Sequence, residues 1–170
     1  METPKIYVGT YAKYNAGSIG GQWLDLDDYS DVSEFYDACK ELHADETNPE
    51  YMFQDWENIP DAFIGESYIS ENFWPYMQAV NDLDNSEAFE AFVNHFGYDL
   101  AKEDIDVLIC RFDDSYFGDQ STSDYAYELA QEFLHDVPET VKSYFDYDKW
   151  ERDLFMSDFT EVDGFIFRNV

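Results

Sequence analysis

Positive charge is scarce in this chain. Its 170 residues hold 9 Lys and Arg against 39 Asp and Glu, a formal net charge of -30 with three His counted as neutral. Such a surface repels phosphate, which excludes direct binding to nucleic acid and to an anionic membrane. Long apolar runs are missing as well. The longest aliphatic stretch, Val107-Leu108-Ile109-Cys110, is far short of a membrane span. The opening Met1-Glu2-Thr3-Pro4-Lys5 lacks the basic-then-apolar order of a signal peptide. The two cysteines, Cys39 and Cys110, make no disulfide framework, and both sit in apolar patterns that predict buried free thiols. Together these absences predict a soluble cytoplasmic protein.

Catalytic and metal-binding signatures are also absent. There is no His-Glu-x-x-His, no Gly-x-Ser-x-Gly and no phosphate-cradling glycine loop. His43, His95 and His135 stand alone, each on a predicted helix and each read as structural. Asp25-Leu26-Asp27 begins like a calcium loop, but Tyr29 and Ser30 stand where Asp or Asn and Gly belong. Asp82-Leu83-Asp84-Asn85-Ser86 lacks the glycine too, and Val93 replaces the closing glutamate. The expectation is no enzyme, no cofactor and no metal.

What the chain does have is apolar and aromatic mass. Hydrophobic residues make up 45% and aromatics 19%. Disordered acidic tails are poor in aromatics, so this is a folded, highly anionic protein. Residues 5–12 read as a strand, 22–26 as a second and 51–56 as a third. Between them, Ser30 or Asp31 can cap a helix running to about His43, with Val32, Phe35, Tyr36, Cys39 and Leu42 on one buried face. The middle reads as helical. One segment covers 70–81, restricted by Pro75. A second is capped by Ser86 and stopped by Gly97, and a third covers 101–112. Residues 113–121 read as a loop. Helices follow at about 123–135 and 147–157, with a short helical turn at 139–145 and a terminal strand over 164–168. The predicted class is α+β, an elongated chain of three small units. These are an N-terminal α/β unit with a short antiparallel sheet (1–61), a helical middle (62–105) and a C-terminal α/β unit (106–170).

The acids are unevenly answered. No Lys or Arg lies between Lys40 and Lys102, a stretch with 14 acids, nor between Arg111 and Lys142, a stretch with eight. Asp124, Glu128, Glu132 and Asp136 recur every four residues, a carboxylate stripe opposite Tyr125, Leu129, Phe133 and Leu134. Like charges at i, i+4 cost about 0.2–0.5 kcal/mol per pair, so stability alone does not select the stripe. Halophilic adaptation, calcium binding and carboxylate-based hydrolysis are rival uses of such acidity. A further use is suggested by arithmetic. B-DNA carries one negative charge per ~1.7 Å of axis, so thirty charges match ~50 Å of duplex, or ~15 base pairs. A compact chain of this length has a radius of gyration of only ~15 Å, which favours an elongated array, doubled in a dimer.

A resemblance leads to the same place. The opening KIYVGTYAKYNAGSIGGQWLDL, the segment YMFQDWE at 51–57, the segment FDDSYFGDQSTSDYAYEL at 112–129 and the ending YFDYDKWERDLFMSDFTEVDGFIFR together resemble the ArdA antirestriction proteins. The likeness implies a homodimeric DNA mimic, encoded on mobile elements or phages and acting in the bacterial cytoplasm. Its partner would be the methyltransferase core of a Type I restriction-modification enzyme, with the dimer contact in the C-terminal region. It carries over no catalytic residue, so the expected site is a set of carboxylates: Asp25, Asp27, Asp28, Asp31, Glu34, Asp37, Glu41, Asp113, Asp114, Asp119, Asp124, Glu128, Glu132 and Asp136. The alternatives are a mimic aimed at another DNA-binding protein, or a metal-dependent hydrolase.

Overall fold

The computed structural model describes residues 2–169. The chain is α+β, with an N-terminal antiparallel sheet, a helical middle and C-terminal strands, as the residue pattern predicts. It gathers into two compact units. The first comprises residues up to Leu83 together with Asp99–Asp106, and the second comprises Asp84–Tyr98 and the residues from Val107 onward.

The first unit is built on a three-stranded sheet of order β2-β1-β3, from β1 (Lys5–Thr10), β2 (Gln22–Asp25) and β3 (Tyr51–Glu57). β1 is central because its alternate residues Ile6 and Val8 are fully buried. The predicted strand runs shorter than 5–12: Thr10 caps a five-residue helix, α1 (Tyr11–Asn15), by accepting from the Lys13 N–H. Gly21 sits where a Cβ would lie 2.4 Å from the Val8 carbonyl oxygen, so only glycine lets the chain return this close beside β1. Helix α2 (Val32–Leu42) is capped by Asp31, not Ser30, whose Oδ1 accepts from Ser33 and Glu34 N–H. Its buried face, Phe35 and Cys39, meets Phe53 and Trp74, with ring centroids 5.8 and 6.1 Å from Phe35. Two features escape the sequence pattern. A hairpin of β4 (Ile64–Gly65) and β5 (Tyr68–Ile69) precedes α3 (Phe73–Asp82). α3 starts at Phe73 rather than 70, which places Pro75 in the first turn, where an N–H is not needed. The Asn72 side-chain amide donates to the carbonyls of Leu100 and Glu103, and that fastens the segment 99–106 to this unit.

In the second unit, α4 (Ser86–Phe96) is capped by Asn85, whose Oδ1 accepts from Ala88 N–H; Ser86 is the first helical residue. α4 packs Phe89 on Phe112 of α5 (Ile105–Ser115) and Phe92 on Phe167, at 5.5 and 5.9 Å. α5 begins four residues later than predicted because 101–104 are held in a turn, Lys102 and Glu103 N–H both donating to the Asp99 carbonyl. The segment expected as a loop over 113–121 instead ends α5 and adds a strand, β6 (Tyr116–Gly118). It joins β7 (Phe159–Val162) and β8 (Phe165–Arg168) in the order β6-β8-β7. The β7–β8 turn is Asp163-Gly164, both at positive φ (53° and 90°), the two-residue hairpin that matches strand twist.

α6 (Thr122–Phe133), the short α7 (Glu139–Lys142) and α8 (Tyr147–Ser157) complete the unit. α6 ends at Phe133, two residues before the predicted limit. Its buried face is Tyr125, Ala126 and Ala130, while Phe133 is 70% exposed. The small alanines let α8 approach closely, and Trp150 Nε1 donates to the Ala126 carbonyl at 2.9 Å. Among the described residues no helix is long and apolar enough to cross a membrane.

Candidate partner surface

Carboxylates at the surface have three fates: capping a helix, pairing with a base, or facing water alone. All fourteen expected positions are exposed. Asp31 caps α2, and Glu34 reaches back to accept from Ser30 N–H at 2.8 Å. Asp124 closes the start of α6, accepting from the Ser121 hydroxyl at 2.6 Å. Asp136 lies three residues beyond α6, outside the helical stripe, and faces His135 Nδ1 at 2.9 Å. The stripe on the helix is therefore Asp124, Glu128 and Glu132. None of the fourteen forms an ion pair with Lys or Arg among the described residues.

The acids fall into separate sets. Asp25 is the last residue of β2, opposite Lys5 in the sheet register, and Asp27 and Asp28 lie in the turn that follows. Glu34, Asp37 and Glu41 recur at the helical spacing that places them on one outward face of α2, opposite Phe35 and Cys39. Asp113 and Asp114 are on the last turn of α5, and Asp119 follows β6. In each set a residue buried in the core fixes which way the acids look.

The bases are spent elsewhere. Lys13 Nζ lies 3.0 Å from His43 Nδ1, 2.9 Å from Asp45 and 3.6 Å from Glu46. Those three residues bring His and carboxylate ligand atoms within 4.8 Å of one another, the donor set of a metal centre. The Lys13 ammonium is already the cation among them. His43 is 1% exposed and its other nitrogen, Nε2, donates to the Val8 carbonyl at 3.2 Å, which leaves Nδ1 to accept from Lys13. The Asp45 hydrogen bond raises the Lys13 pKa, and Lys13 in turn lowers that of Asp45. His43 follows α2 and His135 follows α6, while His95 alone lies within a helix, α4. Of the thiols, Cys39 is buried as expected, its pKa pushed up to about 12 by desolvation, which keeps it a thiol. Cys110 is exposed, because the buried side of α5 runs through Ile105, Leu108 and Phe112.

The pattern of single elements does not reveal one further arrangement. Asp31, Glu71, Asp82 and Asp106 line a groove of about 1020 Å³ in the first unit. Three of these acids were not expected site residues, since they come from separate chain segments. The one available signal was the base-free stretch from 41 to 101.

Comparison with known proteins adds one finding. A family profile described as "Antirestriction protein (ArdA)" matches residues 6–167. No curated protein matches the chain.

Proposed function

The chain belongs to the ArdA antirestriction protein family, and from that premise we propose that it mimics B-DNA and inhibits Type I restriction-modification enzymes by occupying the DNA groove of their methyltransferase core. No bond is made or broken; the protein is a competitor, not an enzyme. The observation that carries this reading is the exposure of all fourteen candidate carboxylates without a single Lys or Arg ion pair. A surface kept acidic only for solubility gains a little from interspersed bases. A phosphate substitute loses function with each one, because the groove's own Lys and Arg must find the acids unoccupied.

The acting form in this proposal is a homodimer in the bacterial cytoplasm, joined through the second unit. There the exposed apolar side chains Tyr127, Phe133, Val141, Tyr144 and Met156 support such a contact, Phe133 and Tyr144 being 70% and 88% exposed. Light scattering at micromolar concentration checks the assembly, and a monomer would refute it. The functional test is a purified Type I enzyme assayed for cleavage and methylation with increasing amounts of this protein. Stoichiometric inhibition relieved by added duplex is expected. Full activity in the presence of excess protein would refute the proposal.

A further inference from the structure

We draw no further inference here: the strongest candidate, the His43, Asp45 and Glu46 side-chain cluster beside α1, already has its positive charge supplied by the Lys13 ammonium, which lies 3.0, 2.9 and 3.6 Å from the three side chains.

Discussion

The two units are about equally acidic but treat their bases differently. The first holds 21 acids and 4 bases, the second 18 acids and 5 bases. In the first unit two lysines tie distant segments together, while Lys102 pairs locally with Asp99 at i,i+3. Lys5 joins Glu57 across β1 and β3 at 2.9 Å, and Lys13 joins α1 to the loop after α2. In the second unit the ion pairs are local: Lys142 pairs with Glu139 at i,i+3 and Arg152 with the adjacent Asp153, while Arg111 lies over the Tyr98 ring at 5.4 Å. The difference teaches where positive charge is placed in so acidic a chain. In both units the Lys and Arg ion pairs involve other acids, and the fourteen candidate carboxylates are left without a Lys or Arg partner among the described residues.

The largest expected effects concern the division into units itself. Phe35→Ala and Phe92→Ala each remove a fully buried ring and should cost about 3–5 kcal/mol. Amide hydrogen exchange should show Phe35→Ala loosening β1, β3 and α2, and Phe92→Ala loosening α4, α5 and β8. If either variant loosened both sets equally, the two compact units would be one cooperative body.

Next in size is the contrast between lysines. Lys13→Met leaves His43 Nδ1 buried without its donor, whereas Lys142→Met loses only a local pair, so the melting temperature should fall further for Lys13→Met. Asp45 is held below its ordinary 3.8, so its contribution is complete above that value and is lost as pH falls through the lowered pKa. Lys13 is held above its ordinary 10.5, so its contribution is complete below that value and is lost as pH rises through the raised pKa. The gap between Lys13→Met and the parent should therefore be flat from about pH 5 to 9 and narrow on either side. A gap that widened in acid would contradict the pairing.

The smallest effect is on the stripe of α6. Replacing Glu128 and Glu132 by Gln removes like-charge neighbours at i, i+4 and should stabilise the fold by a few tenths of a kcal/mol while weakening inhibition in graded steps. Asp124 behaves differently, since it occupies the first turn and accepts from Ser121; Asp124→Asn should bring no such gain. One substitution that abolished inhibition outright would point to a catalytic or single-contact mechanism instead.

How much of this was legible beforehand follows from the kinds of interaction involved. β1, β2, β3 and α2 were legible because their apolar periods are long enough to identify. The two-residue strands β4 and β5 carry no period, and β6 is defined by its partner β8 rather than by its own residues. Phe133 was placed on the buried face of α6 because hydrophobicity alone cannot tell that Ala126 and Ala130 leave room for Trp150. The exposure of the fourteen carboxylates was readable because exposure of an acid is the ordinary outcome. The groove was not, since its walls come from three separate segments that only the fold brings together.

The central claim is that unanswered carboxylates stand in for phosphates. The most direct measurement is the affinity of this protein for a Type I methyltransferase core as a function of NaCl, with a labelled duplex present as competitor. A mimic must give a steep fall of affinity with salt and complete mutual exclusion with the duplex. Affinity flat with salt, or a ternary complex of enzyme, duplex and this protein, would contradict it.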